Sequence, residues 1–267
     1  MKRSRIGEIG YKMHAPAEFA DIAADVLARI RERAPRVHCI TNSVAQQYTA
    51  NILLAAGAVP SMTISPEEIG AFVASANAVL INLGTFDVER KFAIEVAVKA
   101  AMEKRLPWLL DPVFIERSPA RAQFARALLS GGPAVVRLNH GEFATLSGQR
   151  AEAGAAMRFA QANSTIVALT GDVDFLSDGQ RRIAIANGDP LMGLVTAMGC
   201  AGAAFVCAAL AVEADAWLAS LAALAAFGVA GEIAAQAANG PGSFATAMID
   251  AVHGLDRATL RTRVKAS

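Results

Sequence analysis

The sequence predicts an α/β fold, a mostly parallel central sheet with helices on both faces, and three observations carry that prediction. Short apolar runs of strand length recur at residues 37–40, 78–83, 107–110, 134–138 and 165–170. Helix-period segments separate them. The runs are continuous rather than alternating, as strands covered on both faces require.

Each element follows from its residues. Phe19, Ile22, Ala23, Val26, Leu27 and Ile30 fall on one helical face, which ends near Pro35. Val37-His38-Cys39-Ile40 reads as a short strand. Asn42 or Ser43 can cap the next helix, which runs through Leu53 and stops at Gly57. Ser65-Pro66-Glu67-Glu68 predicts a helix start, with Ser at the cap, Pro first and Glu third. The runs at 78–83 and 107–110 are each followed by a helix, the second opening at Ser118-Pro119. After Thr170 the pattern changes. Residues 174–177 and 180–186 flank Asp178-Gly179, a hairpin turn, so the sheet should end in an antiparallel part. Beyond Cys200 the chain reads as nearly all helix, interrupted at Gly240-Pro241-Gly242. With no linker, low-complexity tract or repeat, residues 1–267 read as a single domain.

Composition narrows the function. The 267 residues suit one α/β domain, and 54% are apolar. Lys plus Arg is 25 against Asp plus Glu 24, which leaves no long-range field for nucleic acid or an anionic membrane. A small-molecule ligand is expected. Cys39, Cys200 and Cys207 are odd in number without CxxC spacing, which suits a reducing cytoplasm and excludes a disulfide framework. The basic start at residues 1–5 has no apolar stretch behind it, so no signal peptide is expected. Two uncharged runs, 190–212 and 216–231, raise the membrane question. Glycines 193, 199 and 202 interrupt the first, and a pair of buried core helices accounts for both.

In an open α/β sheet, ligands bind outside the carboxyl ends of the strands. The polar residues there are Thr41, Asn42, Asn82, Gly84, Thr85, Asp111, Arg137, Asn139, Glu142, Thr170 and Gly171. The loop Thr196-Ala197-Met198-Gly199-Cys200 opens the next helix beside them. Two carboxylates, a guanidinium, amides and a helix N-terminus are the groups that hold a polyphosphate with its magnesium. Asp111 reads as an oxygen ligand or water-holder for Mg²⁺, or as a turn residue. Glu142 reads as a site carboxylate, or as a first-turn glutamate favoured by the helix dipole. Arg137 closes an apolar strand and needs a partner, which phosphate oxygens supply. Cys200 sits where the helix dipole can lower a thiol's pKa. Its thiolate could take a proton from a substrate hydroxyl, the amides around it could hold a transferring phosphoryl group, or it could be packing, as Cys207 is. His38 and His140 lack metal-ligand spacing and read as local hydrogen-bonding groups. Met62 reads as packing or as a pocket-lining residue, and Asp172 and Asp174 as part of the turn after Thr170.

These residues resemble the hydroxyethylthiazole kinase family. The resemblance lies in Val37-His38-Cys39-Ile40-Thr41-Asn42, Thr49-Ala50-Asn51, Leu53-Leu54-Ala55-Ala56-Gly57-Ala58, Asn82-Leu83-Gly84-Thr85 and Leu110-Asp111-Pro112-Val113. It continues through Thr170-Gly171-Asp172-Val173-Asp174, Asn187-Gly188-Asp189-Pro190-Leu191-Met192 and Gly240-Pro241-Gly242-Ser243-Phe244, in the family's order. It implies a ribokinase-like three-layer sandwich, a homotrimer with sites between subunits, and phosphorylation by ATP of the hydroxyl of 4-methyl-5-(2-hydroxyethyl)thiazole in thiamine salvage. It also implies Arg137, Asn139, Thr170 and Gly199 at ATP, Asp111 and Glu142 at Mg²⁺, and Asn42, Met62 and Ala197 at the alcohol. Cys200 would stand where related kinases carry an aspartate base. Three loops depart from the family pattern: Ala197-Met198-Gly199-Cys200 for Gly-Thr-Gly-Cys, Phe114-Ile115-Glu116-Arg117 for small residues, and Arg137-Leu138-Asn139-His140-Gly141-Glu142 for Arg-Gly-Asn-Ala-Ser-Glu. A left-handed torsion at Ala197 or Met198 would store roughly 1–3 kcal/mol. Two alternatives follow: a kinase of another heteroaromatic alcohol, or a nucleotide-binding homologue that has lost catalysis.

Overall fold

The computed structural model describes residues 16–267; the basic start at residues 1–5 lies outside the described residues. The apolar runs form strands β1 (Arg36–Ile40), β2 (Val59–Ser61), β3 (Ala78–Asn82), β4 (Trp108–Asp111), β5 (Val135–Asn139) and β6 (Ile166–Thr170). The expected hairpin adds β7 (Asp174–Ser177) and β8 (Arg182–Ile185), joined by a loop of residues 178–181 rather than by Asp178-Gly179 alone. All eight join one sheet in the order β2-β1-β3-β4-β5-β6-β7-β8. The first six are parallel and the last two antiparallel, as the change of pattern after Thr170 predicts.

Successive strand residues point to opposite faces, and both faces are covered. Cys39, Leu80 and Leu109 enter one core, Ile40, Val79, Ile81 and Leu110 the other. The first core lies under helices α1 (Pro16–Arg33) and α2 (Gln46–Ala56). Helices α3 (Ile69–Ser75), α4 (Val88–Lys104), α5 (Pro119–Leu129), α6 (His140–Ser147) and α7 (Ala153–Asn163) close the second. The chain then returns to the first face with α8 (Met198–Leu210), α9 (Ala216–Ala237), α10 (Pro241–Gly254) and α11 (Arg257–Arg263). The result is a three-layer sandwich. Helix α9 is long and apolar enough to cross a membrane, yet 78% of its apolar window is buried inside the fold. It is a core helix here.

Most punctuation falls where the sequence puts it. Gly57 ends α2 in a left-handed conformation, φ +94°, and Ser118 caps α5 by accepting from the Arg121 N–H. Two helix starts differ. Helix α2 begins at Gln46 without a side-chain cap, because Asn42 and Ser43 lie in a preceding turn. Ser65 does not cap α3, which begins only at Ile69. The Ser65 N–H donates to the Thr63 hydroxyl, and the same hydroxyl engages the Glu68 carboxylate. The Ser65 N–H and the Glu68 carboxylate, partners in the expected capping box, therefore each bond Thr63 instead, while the Glu68 N–H donates to the Ser65 carbonyl at 3.2 Å.

The register positions the site. In the parallel sheet Asn82 stands opposite Asp111, and Asn139 opposite Thr170, so the polar strand ends are aligned along one edge.

Candidate active site

Where β3 and β4 end side by side, Asn82 Nδ2 donates to Asp111 Oδ2 at 2.6 Å and to Cys200 Sγ at 3.3 Å. Asn82 Oδ1 accepts from the Gly84 N–H at 2.9 Å. This buried amide thus ties the acidic strand end to the start of α8. The sequence places Asn82 at a strand end, as it does Thr41, Gly84, Thr85 and Gly171, without marking out its role. Gly84 is needed for close approach: a Cβ there would sit 2.7 Å from Asn42 Cβ. Asn42 Oδ1 in turn accepts from Val44 N–H (3.2 Å) and Thr85 Oγ1 (3.1 Å). Asn42, Asn82, Asp111 and Cys200 are therefore one contiguous group.

Burial dominates the electrostatics. It pushes the Asp111 carboxyl up to about 7, against the attraction of Arg137. The Cys200 thiol is pushed up to about 11, first by burial and then by the Asp111 carboxylate. The lowered thiol pKa that a helix N-terminus suggests is thus reversed, and at neutral pH Cys200 keeps its proton. Glu142 sits in a capping box: its Oε2 accepts from Asn139 N–H at 2.8 Å, and Asn139 Oδ1 accepts from Glu142 N–H at 2.9 Å. Its Oε1 accepts from Phe114 N–H at 3.2 Å. Burial raises its pKa despite these bonds. Asn139 is accordingly a helix cap, and Glu142 joins β5, α6 and the loop after Asp111.

Beside this group lies the N-terminus of α8. Ala197 adopts φ +75°, ψ −7°, so the left-handed torsion foreseen for this loop is present. The first helical bond runs from Ala201 N to Ala197 O at 2.8 Å. Among the described residues the Gly199 and Cys200 N–H groups have no protein acceptor. Arg137 faces them, its Nη1 3.5 Å from the place of a Gly199 Cβ. Its Nε is buried without a hydrogen-bond partner, and the guanidinium makes no ion pair among the described residues.

A cavity of about 410 Å³ opens from this point, lined by Arg137, Thr170, Gly171, Asp172, Asp174, Gly199 and the segment Asn187, Gly188, Asp189, Pro190 and Met192. Leu224 and Phe227 of α9 complete it. Arg137, Thr170 and Gly199 come together there as expected; Asp111, Cys200 and Asn42 form the adjoining group. Met62 lies just past β2, half-buried against the core, and no bond connects it to either. Leu224 and Phe227 carry no signal in the sequence, since in an apolar helix a cavity wall reads as core.

No three His, Cys, Asp or Glu side chains converge as a metal cage among the described residues. Mg²⁺ rarely needs one: one or two carboxylates, waters and substrate phosphates hold it. Asp111, desolvated and within the electrostatic influence of Glu142 and Arg137, fits such a partial site.

Comparison with known proteins shows the family and the fold. Residues 27–258 match the model of the hydroxyethylthiazole kinase family. A probable hydroxyethylthiazole kinase of Agrobacterium fabrum is 41% identical over 86% of this chain and 88% of its own. The structure of a hydroxyethylthiazole kinase from Pyrococcus horikoshii superposes with a TM-score of 0.88 at 38% identity, covering 92% of this chain and 98% of that one. A ribokinase-like protein of Enterococcus faecalis shares the fold alone, with a TM-score of 0.66 at 11% identity over 93% of this chain and all of the other.

Proposed function

The chain belongs to the hydroxyethylthiazole kinase family, and on that premise we propose that it transfers the γ-phosphoryl group of ATP to the hydroxyl of 4-methyl-5-(2-hydroxyethyl)thiazole, in thiamine salvage. One observation carries the reading: an unpaired guanidinium and two unbonded N–H groups meet at the mouth of a nucleotide-sized cavity, beside a buried carboxylate.

ATP occupies the cavity with its base against Met192, Leu224 and Phe227. Arg137 and the Gly199 and Cys200 amides take the phosphates, with Thr170 along the wall. Asp111, with Glu142 behind it, would hold Mg²⁺ through an oxygen or a bound water, and the ion neutralises phosphate charge when bound. Asn139 acts through Glu142, as its cap partner. Asn42, Ala197 and Met62 line the alcohol's side. The alcohol oxygen bonds to the γ-phosphorus as the bond to ADP breaks, and the hydroxyl proton passes late to a phosphoryl oxygen or to water, so positioning and electrostatics supply most of the rate. A Cys200 thiol that holds its proton favours a role through its amide over a role as base.

The whole chain acts as one domain on this reading. The three buried, unpaired cysteines suit a reducing cytoplasm. Exposed Leu54, Val59 and Phe72 around the edge strand β2 supply apolar surface for a homotrimer. Phe114, a half-exposed aromatic at φ +59° where the family pattern has small residues, motivates a second reading, a different heteroaromatic alcohol. ADP release from ATP with the thiazole alcohol, with and without Mg²⁺, tests the first reading. Turnover only with Mg²⁺ is expected, and turnover on a pyridine or pyrimidine alcohol alone would move the assignment to the second. Tight ATP binding with no turnover on any alcohol would instead mark a nucleotide-binding homologue without catalysis.

A further inference from the structure

We propose that Asn187 is a positioning residue that sets nucleotide affinity by fastening the C-terminal segment to the wall of the cavity; this rests on reading that cavity as the ATP site. Asn187 and the residues after it form one side of the cavity, yet its amide is turned away to bind the protein. Every polar group of that amide is used. Nδ2 donates to Glu232 Oε1 at 3.0 Å and to the Arg263 carbonyl at 2.7 Å, and Oδ1 accepts from Lys265 N–H at 2.7 Å. The side chain is 7% exposed, so each bond is worth making and costly to leave unmade.

The other ends of these bonds are anchored as well. Glu232, on α9, also accepts from the Gly188 N–H (3.4 Å) and from Lys265 Nζ (2.9 Å). The C-terminal residues pair with β8: Ala184 and Ser267 exchange N–H to O bonds at 2.8 and 2.9 Å, and Ala186 N–H donates to Lys265 O at 2.8 Å. On the helix side, a Cβ at Gly228 would stand 2.6 Å from the Asn187 carbonyl oxygen, so α9 leaves the segment no slack. Three stretches distant in sequence thus meet at one amide, none of them carrying the transfer chemistry. The wall moves only if that junction opens.

The test is calorimetric ADP binding together with steady-state kinetics on the full chain and three variants. Asn187→Ala and Glu232→Ala are expected to raise the ADP Kd and the KM for ATP about tenfold, with kcat and the KM for the alcohol within about twofold. Glu232→Gln keeps the Oε1 acceptor and should bind ADP like the wild type. Should Asn187→Ala fail to fold, the Glu232 pair decides alone. Variants that bind ADP as tightly as the wild type, a Glu232→Gln as weak as Glu232→Ala, or a parallel loss in every kinetic parameter would overturn the positioning role. A wild-type chain that binds no ADP would refute the nucleotide reading of the cavity instead.

Discussion

The two ends of the cleft are built on opposite terms. At the wall every polar group of the Asn187 amide is satisfied by protein, and a glycine brings α9 into contact. At the transfer end Arg137 Nε and two amides go unpaired, Ala197 holds a left-handed torsion, and Asp111 is desolvated. Unsatisfied buried polar groups and off-region backbone are costly, and proteins keep them where a ligand completes them. The wall gives shape; the transfer end holds polar groups in reserve for phosphate and cation.

That contrast can be broken at Asp111 with the largest effect. Asp111→Asn keeps the acceptor for Asn82 but removes the charge, so turnover should fall on the order of 10²–10³-fold while the melting temperature rises. A wild-type rate, measured as ADP release at saturating ATP, would remove Asp111 from the transfer end.

The pH dependence comes next and has two signs. Because Asp111 binds its proton more tightly in the folded chain than unfolded, stability of the free protein should fall as pH rises from the ordinary carboxylate range through about 7, then level off. Activity should do the reverse, with kcat/KM falling about tenfold per unit as pH drops below about 7. Paired melting and rate profiles check this, and Asp111→Asn should flatten both.

Smaller effects sharpen the comparison. Cys200→Ser should keep activity within about tenfold, since a protonated thiol contributes mainly its backbone N–H. Abolished turnover with unchanged ATP affinity would restore the thiol as base. Ala197→Gly should relieve left-handed strain, but the freer unfolded chain offsets part of the gain, leaving a stabilisation of less than about 1 kcal/mol by denaturant melting.

The same contrast explains what the sequence made legible. Continuous apolar strands, the Gly57 stop and the Asp178-Gly179 hairpin are local patterns, and the fold follows them. Asp111 and Arg137 stand out because charge at the end of an apolar strand needs a partner. Other features depend on neighbours distant in sequence or on competition between nearby groups. Ser65 carries a full capping pattern, yet Thr63 takes its N–H and the Glu68 carboxylate, and the Glu68 N–H goes to the Ser65 carbonyl. Cys200 has the position of a low-pKa thiol, but burial beside Asp111 raises it. Phe227 is an apolar helix residue until the fold opens a cavity against it. Asn187 reads only as one letter of a motif, because its partners lie 45 and more residues away.

The unpaired guanidinium is the centre of the contrast, and ATP binding to Arg137→Ala by calorimetry tests it most directly. If Arg137 is held in reserve for phosphate, the variant should bind ATP at least about tenfold more weakly, with adenosine affinity unchanged. Equal ATP affinity in the variant and the wild type would contradict the account.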